Sequence, residues 1–185
     1  RVTRRLNSES CFPRLIGFSA FHYLAHEERL SMKFRVFQPS DEAAVIRLWT
    51  RCELVHPSND PSEDIRRKLA FQPELFFVGL LGEKIITSVM AGYEGHRGWI
   101  NYLAVDPEHQ RKGVGRAIML YAEKELESIG AAKINLQVRS GNTAVVHFYN
   151  RLGYDVEARA SLGKRLKQDS SSSTENPARS SSIED

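Results

Sequence analysis

Between a strand-like run and a long amphipathic segment, the chain carries Gln110-Arg111-Lys112-Gly113-Val114-Gly115-Arg116. A strand that feeds a helix through two closely spaced glycines restricts the chain to folds built from mixed α/β layers. A helix start leaves four backbone N–H groups without intrahelical acceptors, at the positive end of the macrodipole. Gly113 and Gly115 carry no side chain, so an anion can approach that backbone closely, and Arg111, Lys112 and Arg116 add positive charge. The turn suits a phosphate or pyrophosphate. It is not a Walker loop, which needs G-x-x-x-x-G-K-[ST], nor the dinucleotide G-x-G-x-x-G, because the third glycine is missing. A glycine-softened turn flanked by solvated basic residues would look the same from this segment alone.

The flanking pattern supplies the elements. Lys33 to Gln38 reads as a strand, and Ser40, Asp41 and Glu42 open a helix whose Val45, Leu48, Trp49 and Cys52 fall at i, i+3, i+4, i+7. His56 to Pro61 breaks it, and a second helix runs from about Ser62 to Phe71. Strands follow at Leu75–Leu81, Lys84–Tyr93 and Trp99–Val105, with Gly82-Glu83 as a turn and a two-glycine loop at Glu94–Gly98. Val114, Ile118, Ala122, Leu126 and Ile129 mark the buried face of the long helix. A strand at Ile134–Val138 precedes a helix capped by Asn142, with Val145, Phe148, Tyr149 and Leu152 on one face. Short strands are expected near Asp155–Ala158 and Ser161–Leu166.

The 185 residues suit one domain with tails, expected to span 32–166. A 26% charged share argues against wholesale disorder, and no run of 18 apolar residues offers a membrane-spanning helix. Two cysteines, Cys11 and Cys52, are too few for a disulfide scaffold or a four-cysteine zinc site, which points to a reducing, cytoplasmic setting. Cys52 lies on an apolar helix face with no triad pattern around it, so it reads as packing. A net charge of +3 is weak ground for nucleic-acid binding. Residues 167–185 hold a Ser-rich stretch with almost no apolar side chains and are expected to be a disordered tail. Residues 1–31 precede Met32, where strand alternation begins. They read as sequence upstream of a natural start, as a flexible extension, or as a transit-peptide remnant, against which Glu27 and Glu28 argue. His22 and His26 lack a third ligand, so no metal site is expected there.

Gln110-x-x-Gly113-x-Gly115 after Tyr102-Leu103-Ala104-Val105-Asp106-Pro107 resembles the acetyl-CoA motif of the GNAT acetyltransferase superfamily. Asn142 through Phe148-Tyr149-x-x-Leu152-Gly153-Tyr154 is similar to that superfamily's second conserved helix. The strings Asn59-Asp60-Pro61, Gly92-Tyr93-Glu94-Gly95-His96-Arg97-Gly98 and Ser161-Leu162-Gly163-Lys164-Arg165-Leu166 resemble those of small bacterial YpeA-type acetyltransferases. The resemblance covers about residues 32–166. It implies a mixed, mostly antiparallel central sheet flanked by about four helices, with a splayed parallel strand pair at the cofactor site.

It further implies an acetyl-CoA-dependent N-acetyltransferase that passes acetyl directly to a primary amine in a ternary complex, without a metal. Leu103, Ala104 and Val105 would meet the pantetheine arm or thioester. Gln110, Arg111, Lys112, Gly113, Val114, Gly115 and Arg116 would hold the pyrophosphate, with Asn142 near the cofactor. Tyr149 holds the position of the family's acid, which protonates the leaving thiolate; its apolar helix face fits a core aromatic equally. Glu94 would serve as base or remain a solvated loop acid. Trp99, Asn101 and Gln137 stand where relatives place a glutamate, and Glu53, His56 and His96 are further candidates for the base. The acceptor would be a protein N-terminus, a lysine or a small-molecule amine, admitted beside Glu53–Asp60. Neither nucleic acid nor membrane is an expected partner, and a homodimer through the last strands stays open. A non-catalytic acyl-CoA-binding regulator on the same fold is the alternative.

Overall fold

The computed structural model describes residues 32–56, 59–164 and 166. The expected tails at 1–31 and 167–185 lie outside the described residues. Five strands form one sheet in the order β1 (Met32–Val36), β2 (Phe76–Leu81), β3 (Lys84–Tyr93), β4 (Gly98–Val105) and β5 (Ile134–Leu136). The first four run antiparallel; β5 alone is parallel to β4. Helices α1 (Glu42–Arg51) and α2 (Pro61–Ala70) cover one face, and α3 (Val114–Ser128) and α4 (Thr143–Asn150) cover the other. The architecture is the expected mostly antiparallel sheet flanked by four helices.

Helices on both faces explain why β2 is a continuous apolar run rather than an alternating one. Phe76 and Val78 pack with Val45, Leu48 and Trp49 of α1 and Ile65 of α2, while Phe77 joins Val89, Ala91 and Ile100 under Ile118, Met119, Ala122 and Leu126 of α3. Trp49 is fully buried; its indole N–H donates to Ser88 Oγ at 2.9 Å and its ring stacks on Tyr102 at 4.3 Å. A buried tryptophan requires such a partner for its polar atom.

Gly79 sits where β2 shifts register against β3. A Cβ there would stand 2.5 Å from Thr87 Cγ2 and 2.8 Å from Phe34 Cε1. Overpacking of this kind costs about 1–3 kcal/mol, so Gly79→Ala should lower the unfolding free energy by that amount, read as a lower urea midpoint with an unchanged m-value.

Two expectations about element ends are corrected. The start of α1 is secured by Asp41, not Ser40: the Asp41 carboxylate accepts from Gln38 N at 2.8 Å and pairs with Arg35 at 2.6 and 2.9 Å. Among the described residues no strand follows α4, so neither Asp155–Ala158 nor Ser161–Leu166 is a strand, and β5 stops at Leu136. Val156 and Leu162 are 76% and 93% exposed, so the apolar residues that suggested strands have nothing to bury against. Side-chain bonds hold this segment beside β5 in place of a backbone ladder: Lys133 with Glu157, and Gln137 Nε2 to Ser161 Oγ at 2.6 Å.

Candidate active site

The parallel pair β4–β5 is joined only through Gly98↔Ile134, Trp99↔Asn135 and Ile100↔Leu136. Beyond Ile100 the two strands part. Tyr102 at φ +50° marks a bulge in β4, where the register with β3 also shifts. After the bulge, Asp106 N bonds Ile86 O at 2.8 Å, and ladder alternation then turns the backbone groups of Leu103 and Val105 away from β3, toward the opened side. Ala104 belongs to the other side: it is 1% exposed, and its carbonyl accepts from Thr87 Oγ1 at 2.6 Å. Val105 O is engaged by Gln110 Nε2 at 3.0 Å and by the Cys52 thiol at 3.2 Å, so Gln110 braces the turn.

The gap leads to the start of α3. Two neighbouring helices have side-chain caps: Asp60 Oδ1 accepts from Ser62 N and Glu63 N at 3.0 and 3.3 Å, and Asn142 Oδ1 accepts from Val145 N at 3.2 Å. Helix α3 has none. Among the described residues, the amides of Arg111 through Arg116 find no acceptor, and Gly113 at φ +87° sets the left-handed bend that glycine adopts without strain. Orphan donors with Arg111, Lys112 and Arg116 around them fit a diphosphate. Gly115 also has a packing duty. A Cβ on it would lie 3.2 Å from the Phe148 ring and 3.5 Å from Val105 Cγ2, so its bareness lets α3 close on α4 and β4.

Tyr149 is 8% exposed, edge-on to Phe148 and Tyr154 at 5.0 and 5.5 Å, and packed with the α3 face. Its hydroxyl has no hydrogen-bond partner among the described residues, and burial pushes its pKa up to about 12. Glu94 is exposed in the β3–β4 loop. Its carboxylate accepts from Arg97 N at 2.9 Å and His96 N at 2.5 Å, and these bonds hold it below the usual carboxylate range.

On the α2 face, where β4 and β5 part, lies a cleft of about 310 Å3. Lys68, Phe71, Tyr93, Trp99 and Asn101 line it together with Glu94. Glu53 and His56 are not among its lining residues.

Residues 43–154 match the Acetyltransferase (GNAT) family. An acetyltransferase of Pectobacterium atrosepticum is 45% identical over 138 residues, covering 75% of this chain and 98% of that protein. This chain belongs to the GNAT acetyltransferase family. Among solved structures, Ard1 from Thermoplasma volcanium superposes with a TM-score of 0.61 at 23% identity, covering 69% of this chain and 85% of that one. The PaiA N-acetyltransferase from Thermoplasma acidophilum, solved with coenzyme A, gives 0.56 at 19%, covering 70% and 93%.

The GNAT turn before α3 is anchored by Asp106, which is 2% exposed. Its carboxylate meets Arg51 at 2.6 Å, Lys84 at 3.6 Å and Glu108 N at 3.0 Å. Burial pushes its pKa up, but the Glu108 N–H, Lys84 and Arg51 outweigh that and hold it below the usual value. With Glu108 and His109 it forms the sole trio with metal-ligand spacing among the described residues. Arg51 and Lys84 both stand at Asp106 Oδ2 and Oδ1 accepts from Glu108 N, so the trio reads as an ion-pair anchor.

Sequence reasoning missed a second cluster. Tyr102 Oη donates to Asp64 Oδ2 at 2.7 Å and accepts from Asn59 Nδ2 at 2.6 Å, which ties the α1–α2 connection to the β4 bulge. It also missed Lys68 and Gln72, which replace a strand neighbour for the end of β3. Gln72 bonds Tyr93 N and O at 2.9 and 2.6 Å, and Lys68 Nζ donates to Ala91 O at 2.6 Å. Part of the signal was present: Ile65, Lys68 and Leu69 fall at i, i+3, i+4 on the inward face of α2, whereas Gln72 lies beyond the helix in a left-handed turn.

Proposed function

We propose that this chain is an acetyl-CoA-dependent N-acetyltransferase of the YpeA type that transfers acetyl directly to a primary amine in a ternary complex. The uncapped start of α3, opening onto the gap between β4 and β5, carries the reading. When bound, acetyl-CoA supplies an activated acyl group as a thioester. The amides of Arg111 to Arg116 would bind its diphosphate. The backbone groups of Leu103 and Val105 would orient its arm, and fixed amides of this kind polarise a carbonyl without reorganising. Asn142 caps α4 and, by the family resemblance, would lie near the cofactor.

Tyr149 is the proton donor in this scheme. Burial keeps this phenol protonated at every physiological pH, so the proton is there to give, while a pKa of about 12 makes it a weaker acid than a free phenol. Glu94 fits the base role less well than the sequence led us to expect. Bonds from two amides stabilise its charged form, which suits it to hold an ammonium group at the rim of the cleft. Solvent or a water held at the cleft would then take the amine proton.

Calorimetric titration of acetyl-CoA into the whole chain tests the reading. Micromolar binding is expected, and the double variant Arg111→Glu, Lys112→Glu should weaken it by more than about tenfold, since charge-assisted bonds contribute roughly 1.5–3 kcal/mol each. Both side chains are exposed, so the variant should melt with the parent. Absence of binding to the folded parent would sink the assignment. Binding without turnover of any amine would favour the acyl-CoA-binding regulator.

A further inference from the structure

The cleft on the α2 face carries a cation with no ion-pair partner among the described residues. Lys68 is half-buried on the inward side of α2, and among the described residues no carboxylate lies within 4.0 Å of its Nζ. Neighbouring cations of α2 are matched: Arg66 and Arg67 pair with Glu63 at 2.6 and 2.9 Å, and Arg67 also reaches Asp64 at 3.6 Å. Lys68 instead spends one proton on Ala91 O and has two left. Burial lowers its pKa to about 8, against a smaller upward pull from Glu74, so the ammonium is under-compensated where it stands. A desolvated cation at the wall of a cleft is stabilised by an incoming anion far more than a surface lysine would be.

The remaining lining defines what else the ligand carries. Phe71 is 67% exposed and Trp99 is partly exposed, so aromatic surface is presented to the space, while the Tyr93 ring packs on the opposite face, where its hydroxyl donates to Gly130 O at 3.2 Å. Asn101 follows Ile100, the last residue at which β4 and β5 are paired, so the cleft reaches the point where the strands part. Glu94 gives the rim one negative charge. About 310 Å3 lies at the small end of ligand sites and is enough for one amino acid.

We propose that this cleft binds an acceptor bearing a carboxylate as well as the amine, namely an α-amino acid with an aromatic or large apolar side chain, whose carboxylate pairs with Lys68. This deepens the acetyltransferase reading and rests on it. The amine, once it has released a proton to solvent, attacks the thioester carbon; the N–C bond forms and the C–S bond breaks with its electron pair on sulfur. Tyr149 protonates the sulfur and is restored by the second amine proton. The balance is ammonium plus acetyl-CoA giving N-acetyl amine, CoA thiol and one proton. A polyamine is disfavoured, because it would set ammonium groups against Lys68.

The test compares acceptors that differ only in the carboxylate. With the full chain and saturating acetyl-CoA, thiol release is followed for phenylalanine, phenylalaninamide, phenethylamine and spermidine. Phenylalanine should exceed its amide in kcat/KM by at least about tenfold, the worth of one charge-assisted pair. Lys68→Met should collapse the acid-to-amide ratio to within about threefold of unity, and Lys68→Arg should restore part of it. If the amide, phenethylamine or spermidine matches or beats phenylalanine in the parent, the proposal falls while the acetyltransferase reading stands. A ratio unchanged in Lys68→Met also overturns it. If acetyl-CoA binds and none of the four amines reacts, the proposal falls, and the acetyltransferase reading passes to a wider screen of amines. Should Lys68→Met not fold, the parent's acceptor preference and the Lys68→Arg ratio decide.

Discussion

Tyr149→Phe should lower kcat by about a hundredfold and leave acetyl-CoA affinity within about twofold, since a positioned acid or base contributes typically 10²–10⁴ in rate. The change removes one oxygen and keeps the ring. The ring is what the core uses: it sits edge-on to Phe148 and Tyr154 and against Ile118, Met119 and Ala122. The hydroxyl has no partner among the described residues, so its loss breaks no bond, and the melting temperature should hold or rise slightly. That combination separates the acid from a core aromatic, for which turnover would be unchanged. The pH profile adds a second reading. Burial raises the phenol to about 12, so the group stays protonated through the working range, and the parent should show no alkaline loss of kcat before pH 10. An alkaline limb near pH 9 in the parent that persists in Tyr149→Phe would assign the titration elsewhere, with Lys68, lowered to about 8, as the first suspect.

What the sequence made legible follows the reach of each signal. Periodicity located the four helices and the strands from β1 to β5, because an apolar face repeats at 3.6 or 2 residues wherever one side of an element is buried. It erred at residues 155–166, where Val156 and Leu162 offered strand-like residues without a neighbouring strand to receive them. A short apolar run carries no record of whether a partner edge exists. Asn142 was readable as a cap because capping is local, whereas Asp41 was misjudged for Ser40 because its carboxylate also answers Arg35 on another element. At the site, the glycine turn was legible through backbone chemistry. Gly115 was read from its backbone alone, and nothing local reveals that Phe148, 33 residues away, crowds it as well. Lys68 was hidden for a related reason: a lysine on an apolar stripe looks like a helix end until the structure shows it facing the end of β3.

Asp106→Ala should cost about 2–3 kcal/mol and lower the melting temperature by roughly 4–12 °C, read by thermal unfolding. The carboxylate is 3% exposed and answers Arg51, Lys84 and the Glu108 amide together, so its removal unpairs the amide and leaves Arg51 and Lys84 only the Glu108 carboxylate, at 3.1 and 3.9 Å. The loss falls short of the roughly 3–5 kcal/mol typical of a fully buried pair because Arg51 is 42% exposed and recovers water. Asp106→Asn should cost less, since an amide oxygen can still cap the Glu108 N–H. The same group sets a pH response. Its folded pKa lies below the unfolded value of 3.8, as does that of Asp41, which the Arg35 guanidinium holds down. In that window the unfolded state binds more protons than the folded one, so stability rises with pH there. The contribution is fully present above about pH 5 and is lost as pH falls through and below the ordinary carboxylate range. Asp106→Asn should therefore flatten the acid limb of the stability curve. Because Asp106 ends β4 and opens the turn into α3, its loss should also loosen the loop that meets the diphosphate. Acetyl-CoA affinity should then fall in Asp106→Ala at temperatures well below its melting point, and an affinity equal to the parent's would show that the turn holds its shape without the anchor.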